Sequence, residues 1–499
     1  MRRAADNYTA PAVLPPYRRL VLDEAHNLEE AATSHLGAAL SKLGLLRSLR
    51  RLEQQGKGLL PALVRAFSEE DDDLLVQASL RLIHETLIPA TDAARERAGV
   101  VFGLLEQSFG REAGTHRLDA RWTENPVWGS GLDEALPGLL AALDELVRGA
   151  EELRARVMVD EAARERQEGR LLELRGLAGR LESAADALRL TLTPGPRAEE
   201  LVRWLEYTLP RENAPGNLVL CAAPLDLSAL LREALWERIP SVVLTSATLA
   251  TQGNFGFVRE RLGLDDGSEA PVREAIFPSS FDHANQMIVV VPTDLPLPGA
   301  APEARHDEAT VRGVLAHAEI SDGGIFVLFT SYRALHHVAS ELLARSEGRW
   351  PLFVHGEAPR GQLLERFAAS GRGILLGTLS FWEGVDVPGN ALRGLVIPRL
   401  PFRVPSEPVT AARIEAIEAA GGNAFYRYLL PLAAIRLKQG FGRLIRTRDD
   451  RGVVLILDGR IAKRRYGGYL RGSLPPASYV AGPWREVREE MERFYGNHL

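Results

Sequence analysis

The sequence predicts an α/β chain with two parallel sheets and a large all-helical insertion, and three observations predict it. Short aliphatic runs without polar alternation occur near the start, in the middle and in the last third, the texture of strands buried on both faces. In the last third those runs alternate with helix-length stretches, which predicts a parallel sheet. Between residues 28 and 211 the pattern is instead helical almost throughout.

The first run, Leu20-Val21-Leu22, follows a Pro-rich lead-in (Pro11, Pro15, Pro16) and ends in Asp23-Glu24-Ala25-His26-Asn27. Asp23 and Glu24 therefore fall at the carboxyl end of a strand, where open α/β sheets bind ligands. Adjacent acids there suit metal-assisted phosphoryl transfer. One can hold a Mg²⁺ through its water shell, and the other can orient or deprotonate a water. The same pair also reads as a strand end entering a helix with acids in its first turn. In the helical block, Leu139, Leu143, Leu146, Ala150, Leu153 and Val157 step by four and three, as do Leu174, Leu177, Leu181, Ala184 and Leu188. Two such seams predict an antiparallel helical hairpin, with its turn near Gly169.

After Pro215-Gly216 the runs 218–223 and 241–245 read as buried parallel strands around a helix over 227–238. They are expected to return to the sheet begun by residues 18–23, which makes the helical block one insertion. A Pro-rich segment at 292–302 leads to a second α/β domain. Its strands are expected at 325–329, 352–354, 373–377, 394–397 and 452–457, and its helices at 332–343, 362–369, 409–420 and 425–446. Boundaries follow at 1–27 for a partial first domain, 28–212 for the insertion, 213–280 for the rest of the first domain and 281–499 for the second.

At 499 residues the chain is long enough for two to four domains, and its net charge of −6 excludes a uniformly basic nucleic-acid coat. Residues 351–499 nonetheless carry 22 Lys and Arg against 14 Asp and Glu, an excess compatible with a phosphate-binding surface. The basic residues are overwhelmingly Arg, with Lys only at 42, 57, 438 and 463. Cys221 is the only cysteine, which excludes disulfides within the chain and any four-Cys zinc or iron–sulfur site built from it alone. No stretch approaches a membrane-spanning run, so a cytosolic protein is expected.

Five stretches stand in a fixed order: Asp23-Glu24-Ala25-His26; Thr245-Ser246-Ala247-Thr248-Leu249; Leu328-Phe329-Thr330-Ser331-Tyr332; Ser380-Phe381-Trp382-Glu383-Gly384-Val385-Asp386; and Gln439-Gly440-Phe441-Gly442-Arg443-Leu444-Ile445-Arg446. Together they resemble superfamily 2 helicases, and more narrowly the branch that holds DinG and XPD. Ala223-Pro224-Leu225-Asp226, Trp382-Glu383-Gly384 and Leu400-Pro401-Phe402 look like DinG rather than XPD. The resemblance implies two RecA-like motor domains with an arch-like helical insertion, use of ATP and Mg²⁺, and action on single-stranded and forked or flapped DNA by a monomer. It implies that Asp23 holds the Mg²⁺ water shell and Glu24 activates the attacking water. His26 and Gln439 are then expected to link the nucleotide and nucleic-acid sites, and Ser246 and Thr248 to couple hydrolysis to movement. Glu383, Gly384, Asp386 and Gly442 are expected near the nucleotide. Arg443 and Arg446 are expected to face the γ-phosphate as arginine fingers. Thr330, Ser331 and Ser380 are expected to contact DNA phosphates. Physical chemistry agrees for the arginines: charge on a transferring phosphoryl group suits guanidinium donors, and two residues three apart on a helix point to one side. Phe381, Trp382 and Tyr332 can each stack on a base or pack in a core. His336 and His337 lack acid or Cys partners at ligand spacing and read as packing or surface residues.

The family's Gly-x-x-x-x-Gly-Lys-Ser/Thr phosphate loop does not occur in these residues, since the four lysines are followed by Leu43, Gly58, Gln439 and Arg464. In the family that loop and the iron–sulfur cysteines precede the DEAH stretch. The chain is therefore expected to start inside the first motor domain and to be a feeble ATPase alone. It reads either as the C-terminal part of a DinG-type helicase or as a shortened paralogue that binds DNA or a partner without hydrolysing ATP. The loss of several charge-assisted hydrogen bonds, each worth about 1.5–3 kcal/mol, underlies that expectation.

Overall fold

Where aliphatic runs sit side by side, the chain pairs them. The computed structural model describes residues 17–69, 74–110, 113–119, 121–193, 195, 198–210, 215–264, 271–299, 302–382 and 391–496. Within these the strands are β1 (Arg19–Leu22), β2 (Ala38–Ser41), β3 (Gly114–Arg117), β4 (Leu201–Thr208), β5 (Asn217–Pro224), β6 (Ser241–Leu244), β7 (Met287–Pro292), β8 (Ile325–Leu328), β9 (Leu352–Val354), β10 (Ile374–Gly377), β11 (Gly394–Ile397), β12 (Gly452–Ile456) and β13 (Ser478–Gly482). They form three sheets: a parallel pair β1-β6, an antiparallel sheet β2-β5-β4-β3, and a seven-stranded sheet β13-β7-β12-β11-β8-β10-β9.

The chain divides into two compact units. One, the motor unit, holds Leu28 and the described residues before it, Ser228–Pro405 and the residues from Ile414 onward; the other, the helical unit, holds Glu29–Leu227 and Ser406–Arg413. In the motor unit every pairing of the seven-stranded sheet is parallel. Strands β7, β8, β10, β11 and β12 are buried at every position, as unalternating Val, Leu and Ile runs require when helices cover both faces. The five strands read from the sequence are all present. Two more, β7 and β13, were not expected; β7 abuts the Pro-rich segment, whose prolines masked it as a linker.

The β1-β6 pair differs. Its register sets Val21 opposite Val243, and these stand 65% and 51% exposed, so the runs expected to be buried on both faces are exposed at alternate positions. A two-stranded ribbon has too little neighbouring surface to cover both faces.

The helical unit contains the expected hairpin, Asp133–Val157 packed on Glu161–Leu192. Its turn falls at 158–160, and Gly169 lies inside the second helix instead. Leu139, Leu143, Leu146, Leu153, Leu174, Leu177, Leu181 and Leu188 are at most 1% exposed, each burial stabilising by roughly 1.5–3 kcal/mol. Two expectations fail here. Strands β2, β3 and β4 interrupt the block read as helical. Strand β5 does not join β1 in parallel; it runs antiparallel between β2 and β4, closing the helical unit. Aliphatic texture reports burial, and both sheet types bury a central strand.

The helix Pro408–Ala419 gives its first residues to this unit. Arg413, almost wholly buried, pairs with Glu29 at 2.6 Å and donates to the Leu225 carbonyl at 3.2 Å and the Thr33 hydroxyl at 3.2 Å. Removing one partner of such a pair strands a buried charge at a cost of about 3–5 kcal/mol. Arg413→Met is therefore expected to lower the urea midpoint of the helical unit sharply, and Glu29→Met added to it is expected to recover most of the loss. A double variant no more stable than the single one counts against a buried, coupled pair.

Candidate nucleotide and nucleic-acid site

The DEAH stretch begins where β1 ends. Thr245 donates its amide to the Leu22 carbonyl at 2.9 Å, and Ala25 donates to the Thr245 carbonyl at 3.0 Å, so the ends of β1 and β6 are laced together just past the strands. Asp23 and Glu24 are exposed there, with the Glu24 amide donating to Asp23 Oδ1 at 2.9 Å. Glu24 has φ +48°, the left-handed region, which costs a non-glycine residue of order 1 kcal/mol or more and occurs preferentially at functional sites. Its side chain is turned toward β6.

Four of the sequence-predicted residues meet at that point. Ser246 Oγ donates to Glu24 Oε2 at 3.1 Å, lies 2.8 Å from His26 Nδ1 and 3.3 Å from Thr248 Oγ1, and accepts the Thr248 amide at 3.1 Å. A hydroxyl has one proton and two lone pairs. With the proton given to Glu24, Ser246 can only accept from His26, so the proton count assigns Nδ1–H to His26. His26 Nδ1 is also 3.3 Å from Glu24 Oε2. Further along, Thr251 and Gln252 reach the second sheet's helices: Tyr469 donates to Thr251 Oγ1 at 3.0 Å, and the Gln252 amide donates to Ser473 Oγ at 3.3 Å.

The Gln439–Arg446 stretch is placed differently from expectation. The helix Leu430–Phe441 ends before the arginines, and Gly442 is its exposed C-cap, so Arg443 and Arg446 are not neighbours on a helix face. A Cβ on Gly440 would stand 2.9 Å from the Trp382 ring, so only glycine lets the helix pack this closely. Arg443 Nε donates to the Trp382 carbonyl at 3.0 Å, which ties the arginine to the residue that precedes Glu383 in the sequence. Glu383, Gly384 and Asp386 themselves lie outside the described residues. Gln439 is 5% exposed, and neither of its amide atoms has a hydrogen-bond partner among the described residues. Burial also holds the neighbouring Lys438 amine below its usual pKa.

Asp450 was not anticipated. It is 5% exposed and accepts the Arg446 amide at 2.6 Å, the Thr447 amide at 2.7 Å and the Thr447 hydroxyl at 2.8 Å. Gln286 Nε2 clasps the same turn through the carbonyls of Thr447, Arg448 and Asp450 at 2.9–3.1 Å. The Thr-Arg-Asp-Asp wording, with acids after a Thr, was the available signal for such a turn.

At the carboxyl edge of the seven-stranded sheet, Thr330 and Ser331 follow β8, and Ser380 follows β10. Ser331 Oγ caps the helix Tyr332–Arg345, accepting the Ala334 amide at 3.3 Å. Ser380 is exposed, and its carbonyl accepts from Arg360 at 2.8 Å. Phe381 and Trp382 are buried, and Trp382 Nε1 donates to the Phe329 carbonyl at 3.3 Å; of the three candidate stacking rings only Tyr332 is exposed.

The chain supplies no fit for an iron–sulfur cluster. Cys221 is buried in β5, and burial pushes its thiol up to about 12, whereas such clusters need several thiolates. Among the described residues no three His, Cys, Asp or Glu converge as a metal site, and no helix is long and apolar enough to cross a membrane.

Comparison with known proteins adds to this geometry. Residues 314–477 match the model of a helicase C-terminal domain. The chain is 33% identical over 352 residues to the ATP-dependent DNA helicase YoaA of Escherichia coli, covering 70% of this chain and 54% of that protein. It is 32% identical over 474 residues to the ATP-dependent DNA helicase DinG of Photobacterium profundum, covering 92% of this chain and 64% of that protein. This is a DinG/XPD-like superfamily 2 helicase chain. The structure of Xpd4 from S. tokodaii shares the fold over 96% of the DinG-like chain and 79% of its own, with TM-score 0.51 and 15% identity. The DinG-like chain spans between about half and two thirds of the length of these two curated relatives.

The Asp450 clamp is testable apart from any activity. Asp450→Ala removes three hydrogen bonds, and amide hydrogen exchange at 446–450 is expected to quicken by at least about tenfold, the equivalent of one charge-assisted bond. Unchanged exchange there would mean that Gln286 alone holds the turn.

Proposed function

We propose that the chain carries the hydrolysis and DNA-tracking machinery of a DinG-type, ATP-dependent DNA helicase, coupling ATP hydrolysis to translocation on single-stranded DNA and unwinding of forked or flapped duplexes. The observation that carries this reading is the Glu24–Ser246–His26–Thr248 cluster at the joined ends of β1 and β6. The DinG and YoaA relatives support it, each named as an ATP-dependent DNA helicase.

In this reading Asp23 holds Mg²⁺ through water. An exposed carboxylate at a strand end fits that ion, which keeps several waters and takes one or two carboxylates plus phosphates. The ion, when bound, neutralises charge on the phosphates. Glu24 orients and deprotonates the attacking water, turning to it from the Ser246 hydroxyl that now donates to its carboxylate. Arg443 and Arg446 donate to the transferring phosphoryl group, and the Asp450 clasp fixes the backbone from which Arg446 reaches. Thr330, Ser331 and Ser380 line the DNA track. The helical unit is the arch-like insertion, and the protein acts in the cytoplasm as a monomer.

Because these residues contain no phosphate loop, turnover by this chain alone is expected to be feeble. The test is phosphate release from ATP, with and without a dT oligonucleotide, beside a Glu24→Gln control and a direct DNA-binding titration. DNA binding is expected in both proteins, and any DNA-stimulated turnover is expected to vanish in Glu24→Gln. Turnover that survives the substitution overturns the assignment of Glu24, and no DNA binding overturns the helicase reading. DNA binding with no turnover at all favours a shortened, non-hydrolysing DNA-binding module.

A further inference from the structure

One end of the helical unit carries large apolar side chains that its own packing does not use. The helix Leu74–Leu82 runs through a π-helical turn, Ile83–Leu87, into the helix Ile88–Phe109. The helix Asp133–Val157 lies antiparallel to this run. Arg97 donates to the Gly138 carbonyl at 2.8 Å, a Cβ on Gly149 would stand 2.7 Å from the Leu87 side chain, and Arg156 donates to the Ala78 carbonyl at 2.7 Å. The first residues of the one helix and the turn that follows the other therefore reach the same end. There Leu74 and Val159 are 86% and 75% exposed, and Leu75 and Met158 are exposed with them. Farther along, Ile83, Leu87, Leu146 and Leu153 are at most 1% exposed, so the core stripe of both helices is closed without those four side chains.

The charge at this end has one sign. In the sequence, residues 69–75 and 157–162 carry seven Asp and Glu and no Lys or Arg. Of these acids Glu69, Asp160 and Glu161 are described, and all three are exposed. The nearest arginines are already engaged. Arg156 donates to Ala78 and pairs with Glu152, and Arg164 lies 3.6 Å from Glu161. Two copies of this end brought together would set acid against acid, and an anionic bilayer would repel it. An apolar segment flanked by Lys or Arg answers both features at once, burying the four side chains while its cations meet the acids.

We propose that this end of the helical unit, built on Leu74, Leu75, Met158 and Val159, docks a basic, apolar peptide segment of a partner protein. Four side chains make a small contact, so the complex is a weak, transient one. The proposal does not depend on the helicase reading.

The experiment titrates the full chain into a fluorescent helical peptide of about 14 residues, with Leu on one face and Lys on the other, and follows anisotropy across a salt series. A second peptide with Glu in place of every Lys is the control. The Lys peptide is expected to bind and the Glu peptide is not. Leu74→Ser combined with Val159→Ser is expected to weaken binding at least about tenfold, the loss that follows when an apolar side chain is no longer buried. The urea midpoint of that variant is expected to stay native, because both side chains are exposed in the unit. Asp160→Asn combined with Glu161→Gln is expected to weaken binding about two- to fivefold and to flatten its salt dependence. Equal binding of the Lys peptide to the native protein and to the Leu74→Ser, Val159→Ser variant overturns the docking surface, since diffuse charge would then account for it. Absence of binding by the native chain, or equal binding of the Glu peptide, overturns it as well. Light scattering that finds a native dimer, lost in the Leu74→Ser, Val159→Ser variant, would make a second copy the occupant and overturn the partner peptide.

Discussion

A parallel sheet covered on both faces can place polar chemistry only at its strand ends, and the motor unit is arranged around that constraint. Strands β8, β10, β11 and β12 are buried at every position, so no side chain along them can meet a ligand. Several of the candidate polar residues accordingly stand just past the last aliphatic residue of a strand. Thr330 and Ser331 follow Leu328, His355 follows Val354, Thr378 follows Gly377, and Asp458 follows β12, accepting the Leu400 amide at 2.9 Å. Asp23 and Glu24 stand in the same relation to Leu22. The geometry of the site is therefore a consequence of sheet packing, with the glycine at 440 as its sharpest expression: the helix bearing Gln439 can approach Trp382 only because no Cβ intervenes.

The two sheets of the motor unit are unequal, and the inequality has a physical reading. In the seven-stranded sheet the central strands have neighbours on both edges and helices on both faces. The β1-β6 pair has one ladder, and Val21 and Val243 stand exposed across from one another. What fixes its carboxyl end is not breadth of sheet but hydrogen bonding just beyond it: Thr245 to Leu22, Ala25 to Thr245, and the Ser246 hydroxyl to Glu24. The DEAH stretch is thus held locally, by backbone lacing and one shared hydroxyl.

The second sheet was legible in the sequence because five of its strands are unalternating aliphatic runs spaced by helices, a pattern with one reading. The antiparallel sheet was not. Strand β5 carries the same texture as β6, and burial alone cannot tell a strand flanked in parallel from one flanked by β2 and β4. Of the site, the residues set by motif wording could be named beforehand, and the structure brings Glu24, His26, Ser246 and Thr248 into contact. Side chains whose role depends on tertiary neighbours could not be named: Asp450 and Gln286 clasp a turn from 164 residues apart. The helical reading of Arg443 and Arg446 failed because the helix ends at Phe441, with Gly442 as its C-cap.

Every hydrogen-bonding position of the Ser246 hydroxyl is already committed. It has a single proton, given to Glu24, and its two lone pairs are taken by His26 Nδ1–H and the Thr248 amide. If Glu24 turns to a water, that proton loses its acceptor. It can then be offered to His26 only if the imidazole moves its own proton to Nε2, a tautomer change that costs no net charge. Alternatively it can be offered to Thr248 Oγ1, 3.3 Å away. Either rearrangement is confined to side chains yet acts on the segment that leads, three residues on, to Thr251 and its bond with Tyr469. In the proposed reading, in which Ser246 couples hydrolysis to movement, a change in what Glu24 binds is felt first as a redistribution of one proton, next to a backbone already hydrogen-bonded to the helices of the second sheet.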